Sequence, residues 1–390
     1  MRRRDPGAGG EPPSSTLLVF APGATGGGPL RYLEEGLPHI VRAWSGAVVV
    51  AVPAQSVSVV GETAGHDVEV VSLAPSRRGG RGGHFLRSHV QARDLRRTYR
   101  PVVTYCLGNT AYVGPLAPSV TLVQNAARVR DLNNGERRLA LYLRMIAASI
   151  ALSTLRSRRL IAVSHYTRSL VPTRRGRRRT EVIHHGVQAY APAPRSGDRR
   201  EVLHLTVAGS IYSYKGIELA IEAIAKCTRQ WELRLAGPVM EPAYAGYLTD
   251  LAEERGVSDR VQWLGALRHD QLLSEVSTTD VFLMVTRAEA CPNVLREAAT
   301  VRPDRAIVGV RFPWSHEYQD LFDATCPGDQ LHRLLDGLPL ESPPAVVEKR
   351  REAIGAYAWP ITAARTVTVL KAAARLGRDD QRRVEPPAVR

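Results

Sequence analysis

The chain has 390 residues, 44% of them hydrophobic and 23% charged, with a formal net charge of +15 at pH 7. That length exceeds one ordinary core and predicts two or three domains, and the composition excludes a disordered chain. Of 53 basic residues only Lys215, Lys226, Lys349 and Lys371 are lysines; this arginine skew reads as a compositional habit, and with no helix-turn-helix, zinc-finger or RNA-binding aromatic motif beside it a nucleic-acid partner is not expected.

No stretch of about 18 apolar residues lacks a charge, which argues against a membrane-spanning helix. The opening Met1-Arg2-Arg3-Arg4-Asp5-Pro6 carries no apolar run, so a secretory leader is not expected either. Cys106, Cys227, Cys291 and Cys326 lie far apart and form no C-x-x-C pair. Neither a zinc ribbon nor a disulfide framework is indicated, and a reducing, cytoplasmic location is the default expectation.

Strands and helices alternate along the chain. Thr16–Phe20 predicts a buried strand, followed by a glycine-rich turn over Pro22–Pro29 and a helix from Leu30 to Val41. Further strands are predicted at Ala47–Val52, Val68–Val71, Val102–Tyr105, Val120–Val123 and Leu160–Val163. These runs are β-branched without alternation, as parallel strands covered on both faces should be. The apolar segment from Glu136 to Leu155 carries Arg137, Arg138 and Arg144. It predicts a packed helix, with a basic face touching an anionic lipid surface as the alternative. Gly79–Gly83 and the arginines at 174, 175, 177, 178 and 179 are expected in solvated loops. The series restarts after the linker-like Ala191–Asp198, with strands at Leu203–Val207, Glu232–Ala236, Val261–Leu264, Val281–Val285 and Ala306–Val310. Two successive βα arrays predict two doubly wound sheets, whose ligands bind beyond the carboxyl ends of the strands.

Three segments can carry chemistry. Gly209-Ser210-Ile211-Tyr212-Ser213-Tyr214-Lys215-Gly216 follows a strand and precedes a helix, the setting of an anion site. Lys215 is either a surface lysine opening a helix or an ammonium aimed at a diphosphate. Glu289-Ala290-Cys291-Pro292-Asn293-Val294-Leu295-Arg296-Glu297 follows another strand, and Pro292 suits a first helical turn. Its two carboxylates are either ordinary acidic residues of a helix start or a grip on hydroxyls, with phosphate held by the amides at Asn293 and Val294. The glycines at 23 to 28 match neither a P-loop nor G-x-G-x-x-G; they allow a tight turn or a close backbone approach to a ligand. No D-x-D, H-E-x-x-H or G-x-S-x-G occurs, so zinc hydrolysis and α/β-hydrolase chemistry have no support. His184-His185 points two ways along an extended chain, which favours a structural role near the hinge over a metal site.

In order and context these segments resemble the retaining glycosyltransferases of the GT-B fold, family 4. Val163-Ser164, Val182–Val187, Val207-Ala208-Gly209 through Lys215-Gly216, Leu235-Ala236-Gly237 and Val261–Gly265 are similar to its successive motifs. So are Glu289 and Glu297, as its E-x7-E pair, and Tyr357-Ala358-Trp359-Pro360, as the opening of its terminal helix. The resemblance implies a tail over 1–15, an acceptor-side domain over 16–190, a linker over 191–200 and a donor-binding domain over 201–357. A helix over 358–376 would cross back to the first domain, before a tail over 377–390. It implies that Lys215, with Gly209 and Ser210, binds the diphosphate of a nucleotide sugar, Glu289 holds the transferred sugar and Glu297 the ribose. Pro292, Asn293 and Val294 would supply backbone contacts, and Gly26 and Gly27 would line the cleft from the first domain. No cofactor or metal is implied, and the acceptor would be a small molecule, glycan or glycolipid in a natural-product or cell-envelope pathway.

Two departures from the family pattern matter. Ser210 replaces a second phosphate-binding arginine, a contact worth about 1.5–3 kcal/mol, with Tyr212, Tyr214 or a nearby arginine as candidate substitutes. Gln124 and Asn125 stand where a histidine often lies near the reacting sugar, and with Ser210 they leave a catalytically degenerate member that binds nucleotide or glycan as the alternative reading.

Overall fold

The structure is a computed structural model that describes residues 15–65, 68–74, 81–108, 118–124, 137–188, 190 and 201–384. Asn125, the linker segment 191–200, Gly79 and Gly80, and the two extreme ends lie outside the described residues.

Seven strands build a first parallel sheet: β1 (Leu17–Phe20), β2 (Val48–Pro53), β3 (Val68–Leu73), β4 (Val103–Leu107), β5 (Ser119–Val123), β6 (Arg159–Ala162) and β7 (Thr180–Val182). Their spatial order is β3-β2-β1-β4-β5-β6-β7. A second parallel sheet has six: β8 (Leu203–Ala208), β9 (Trp231–Ala236), β10 (Val261–Gly265), β11 (Val281–Met284), β12 (Ala306–Val310) and β13 (Ala324–Cys326), in the order β10-β9-β8-β11-β12-β13. In both sheets the order reverses beside the first strand. The loops diverging there, after β1 and β4 and after β8 and β11, leave a crevice at the carboxyl edge. The doubly wound architecture expected from the β-branched runs is therefore present twice. The short β13 had no legible apolar run, because Ala324-Thr325-Cys326 takes its place by pairing with β12.

Helices cover both sheets. One face of the first sheet buries Leu17, Val19, Val50 and Tyr105 beneath Leu33 and Leu37 of the Gly27–Ala43 helix. The same cluster takes in Trp359, Val367 and Leu370 from the last helix, Trp359–Val384. That helix follows the second sheet in sequence yet is part of the first sheet's core, and it runs past residue 376, where the terminal helix was expected to end. The second sheet buries Leu205, Leu233 and Val308 against Ile221 and Ile224 on one side. Phe282, Met284, Leu295 and Trp314 pack on the other, together with Tyr166 from the first half.

The crossing of the last helix depends on two glycines. A Cβ on Gly36 or Gly186 would run into the indole of Trp359. The indole lies 5.4 Å from the Tyr32 ring, edge on, and its Nε1 donates to Glu35 at 3.0 Å. Around it the Val187 amide donates to the Tyr357 carbonyl at 2.9 Å, and Thr362 Oγ1 donates to the His184 carbonyl at 3.1 Å.

The arginine run at 174–179 differs from the solvated loop expected. Arg174–Arg178 is a short helix capped by Thr173, and the Arg179 guanidinium donates to the carbonyls of Thr154, Ser157 and Arg158. Carbonyls at the end of the Arg137–Arg156 helix draw in a cation, since that end of a helix carries partial negative charge. Among the described residues no helix is long and apolar enough to cross a membrane.

Replacing Trp359 with alanine should remove the wedge between the two halves. The expected cost is about 3–5 kcal/mol, typical of a large aromatic lost from a core. Urea unfolding should show that loss, and limited proteolysis should cut near residue 359 in the variant before the wild type.

Candidate functional site

The turn after β8 is fixed from several sides. Ser213–Lys215 forms a single 3-10 turn, and Gly216 ends it at φ +68°. A side chain there would strike the Val285 carbonyl, so glycine is required both by conformation and by space. The Ser213 amide donates to Glu241 at 2.7 Å, the Ile217 amide to Tyr244 Oη at 2.9 Å, and the Arg287 amide to the Tyr214 carbonyl at 3.0 Å. Glu218–Lys226 follows as a helix.

This frame aims Lys215 at Glu289. Lys215 Nζ donates to Glu289 Oε1 and lies 5.3 Å from the centroid of the Tyr214 ring, which stacks on Tyr212. Burial alone would lower the Lys215 ammonium, but Glu289 outweighs it and holds the group above its ordinary value. Lys215 is therefore a cation in the site, and the two residues singled out from separate motifs are in direct contact.

Glu289 sits in the loop after β11, and the next helix is Asn293–Val301 with Pro292 at its cap, one position earlier than expected. The first amides of a helix have no intrahelical acceptor, so those of Asn293 and Val294 are suited to an anion or a ligand oxygen. Arg296, in the same turn, is fully buried. It donates to the His185 carbonyl and to Asn293 Oδ1, and its guanidinium lies over the Tyr357 ring at 5.5 Å. The helix start is thereby tied to the hinge.

Glu297, one turn further in, is 4% exposed. Burial raises its carboxyl above the ordinary range, against the pull of Arg31. Arg31 comes from the first half, one turn into the helix that Gly26 precedes and Gly27 opens. Its Nη2 lies 3.0 Å from Glu297 Oε1 and donates to Tyr190 Oη at 3.1 Å. Its Nε donates to Glu35 at 2.7 Å, and Nη1 meets His269 Nδ1 at 2.8 Å. A recess between the halves is lined by Arg31, Tyr32, His185, Asn293, Arg296 and Glu297 among others.

The remaining sequence candidates fall around this cleft. Gly26 and Gly27 are exposed, and a Cβ on either meets nothing within 4 Å, so the chain here is open to a ligand. Gly209 ends β8 with φ +130°, and a Cβ there would touch the Lys215 side chain at 3.7 Å. Ser210 follows it, half-buried. Gln124 is buried just beyond β5. Arg287 does not substitute for the arginine absent at Ser210: it is paired with Glu218 and donates to the Ser213 carbonyl at 3.1 Å.

The two histidines serve the hinge, as their sequence context suggested. His184 Nε2 bonds Glu317 Oε1 at 2.7 Å, and the same carboxylate accepts from the amides of His165 and Tyr166. Burial would raise the Glu317 carboxyl, but these donors hold it below its ordinary value. His185 is buried against Tyr32, with ring centroids 4.9 Å apart. Burial, then Arg296 and His184, lower it to about 3. Arg31, Tyr190, His269 and Arg296 escaped the sequence reading. One arginine among so many carries no signal, and their roles arise from chain segments far apart.

The His185 shift fixes a sign. Between about pH 6.5 and 3 the unfolded chain binds a proton that the folded protein refuses, so stability falls with acidification, by at most about 1.4 kcal/mol per pH unit. Glu297 opposes this: its raised carboxyl takes up its proton first in the folded state, which restores stability as pH falls through that value. Thermal unfolding from about pH 7 to about 4.5 should show a smaller loss in His185→Asn than in the wild type. Equal slopes would mean that His185 is charged in the folded protein.

Residues 195–302 match the family model described as Glycosyl transferases group 1. No curated protein sequence matches the chain. Among solved structures, Anabaena HepE in complex with UDP and glucose is similar with a TM-score of 0.68 at 16% identity, over 92% of this chain and 99% of HepE. Sucrose-phosphate synthase of Thermosynechococcus elongatus gives 0.68 at 15% identity, over 92% and 98%. WaaG, a glycosyltransferase involved in lipopolysaccharide biosynthesis, gives 0.61 at 15%, over 93% and 99%. At such identities the likeness speaks for the fold, and with the two sheets described above it establishes that this chain has the GT-B architecture.

Proposed function

We propose that the chain is a glycosyltransferase that moves a sugar from a nucleotide diphosphate sugar to an acceptor hydroxyl. The observation that carries this reading is the Lys215–Glu289 pair, set above a glycine-fixed turn and beside a helix amino terminus. A sugar diphosphate calls for a cation at its phosphates and a carboxylate at its hydroxyls, and the contact of Lys215 with Glu289 supports this reading. The group 1 family match spans these two residues. One neighbour of the same fold, HepE, was crystallised with UDP and with UDP-glucose.

In this reading the diphosphate takes the Lys215 ammonium and the amides of Asn293 and Val294, with Gly209 and Ser210 giving the backbone room to approach. Glu289, released from Lys215, accepts hydroxyls of the transferred sugar, and Glu297 those of the ribose. Charge developing on the leaving diphosphate is met by lysine, amides and helix dipole, so the reaction proceeds without a metal. Gly26 and Gly27 line the cleft from the first half, and Gln124 or Asn125 makes the polar contact near the reacting sugar. We further propose retention of anomeric configuration, as in family 4. The proposed setting is cytoplasmic, with a natural-product or cell-envelope acceptor that is a small molecule, glycan or glycolipid, the last reached by peripheral contact with an anionic membrane face.

Thermal unfolding with UDP, GDP, dTDP, CDP and ADP tests the donor site first. A ligand at about 100 times its Kd adds about 2.7 kcal/mol to native stability. One nucleotide should stand out, and Lys215→Ala should bind it at least about tenfold more weakly, the value of a charge-assisted contact. A flat panel, or one indifferent to Lys215→Ala, would remove the donor-site assignment.

Turnover tests the chemistry. Glu289→Gln should lower kcat by about 100-fold or more, as loss of a transition-state contact does, while nucleotide affinity changes little. Wild-type activity in that variant would exclude Glu289 from the sugar subsite, and proton NMR of the fresh product against the donor anomer would decide between retention and inversion.

A further inference from the structure

Three arginines of the second half are held away from Lys215 by groups that the donor-site reading does not assign to a ligand hydroxyl. Arg287 is paired with Glu218, Arg296 is fully buried on the His185 carbonyl and Asn293, and Arg268 is largely exposed and paired with Asp270 at 2.7 Å. With serine at position 210, Lys215 would face two phosphates by itself. Arg31 is differently placed. It enters the recess from the opposite half and makes its cross-cleft ion pair with Glu297, the carboxylate assigned to the ribose.

Resting on the donor-site reading above, we infer that Arg31 is the second phosphate-binding cation of the site, supplied across the cleft by the half that does not hold the rest of the donor machinery. Two ion pairs flank the cleft, Lys215 with Glu289 and Arg31 with Glu297. Each joins a cation to a carboxylate suited to accept sugar hydroxyls. A ligand that carries hydroxyls and phosphates on one molecule exchanges partners in both pairs at once. Its hydroxyls donate to the carboxylates, while its phosphate oxygens accept from the ammonium and the guanidinium. No buried charge is left without a partner, which is the condition for opening a buried ion pair without a large penalty.

Geometry favours Arg31 for the phosphate next to the ribose. In a ribonucleoside diphosphate one methylene separates the ribose ring from its first phosphate. A ribose on Glu297 therefore brings that phosphate beside a guanidinium whose Nη2 is 3.0 Å from the same carboxylate. Glu35, bonded to Arg31 Nε at 2.7 Å and to Trp359 Nε1 at 3.0 Å, stays in place during the exchange and keeps the planar fork aimed. Since Lys215 and Arg31 lie on opposite halves, a diphosphate held by both favours the closed cleft.

Isothermal titration of UDP, GDP and ADP, each against its parent nucleoside, tests the assignment on wild type, Lys215→Ala, Arg31→Gln and Arg31→Lys. Arg31→Gln should weaken the diphosphate that binds by about tenfold or more, or about 1.4 kcal/mol per factor of ten. Its nucleoside affinity should stay level or rise, since Glu297 is freed, and Arg31→Lys should recover part of the loss. Diphosphate binding that is unchanged or tighter in Arg31→Gln, while Lys215→Ala still weakens it, overturns the role of Arg31 and leaves the donor site standing. Equal loss for diphosphate and nucleoside also overturns it, because Arg31 would then only shape the cleft. Absence of diphosphate binding to the wild type, or binding indifferent to Lys215→Ala, overturns the donor-site reading and the role of Arg31 with it. Circular dichroism checks the fold of each variant, and Arg31→Lys, which keeps the charge, carries the comparison should Arg31→Gln fail to fold.

Discussion

A guanidinium with no access to water is the constraint around which the cleft is built. Arg296 is fully buried, and such a charge persists only where hydrogen bonds replace its hydration. Its Nη1 finds the His185 carbonyl and its Nη2 the Asn293 side chain, with the Tyr357 ring across its face. One side chain thus joins the amino terminus of the Asn293–Val301 helix, the hinge segment beyond β7 and the residue that leads into the last helix. Its charge also helps keep the neighbouring imidazole of His185 neutral. The helix start can present free amides to a ligand because its own first turn is pinned from behind.

The two halves meet through chemistry of two kinds. Trp359 supplies apolar contact at the hinge, where Gly36 and Gly186 make room for its indole. Further out the contacts are polar: Glu317 with His184 and two amides on one side, and Arg31 with Glu297, His269 and Tyr190 on the other. An apolar pivot with a polar rim leaves the mouth of the cleft easier to rearrange than its hinge. Packed contacts resist shearing, whereas ion pairs at the mouth can trade partners with a ligand of matching charge.

Much of the candidate site was legible because its motifs are local. Lys215 follows a strand and a glycine-marked turn, and Glu289 follows another strand, so the rule that ligands gather at the carboxyl edge of a parallel sheet places both near one cleft before any coordinates are known. Their contact is the product of a sheet in which β8 and β11 are neighbours. Arg31 and His269 had no such marker, since each lies in an unremarkable helical start. Arg179 was misplaced for a related reason, while Arg174, Arg175 and Arg178 are exposed as expected. A charge run reads as solvated in one dimension, and only the approach of the Arg137–Arg156 helix end turns Arg179 inward.

The sequence by itself determined the elements and their class. β-branched runs separated by helical segments allow little besides parallel sheets covered on both faces, and the break after residue 190 divides them into two arrays. Those features depend on neighbours within a few residues, so a linear reading captures them. Only the tertiary structure decided which charges pair. Glu297 meets Arg31 and Glu317 meets His184 across gaps of more than a hundred residues. The partner of an ionic group is set by where the folded chain excludes water, and no spacing in the sequence encodes that.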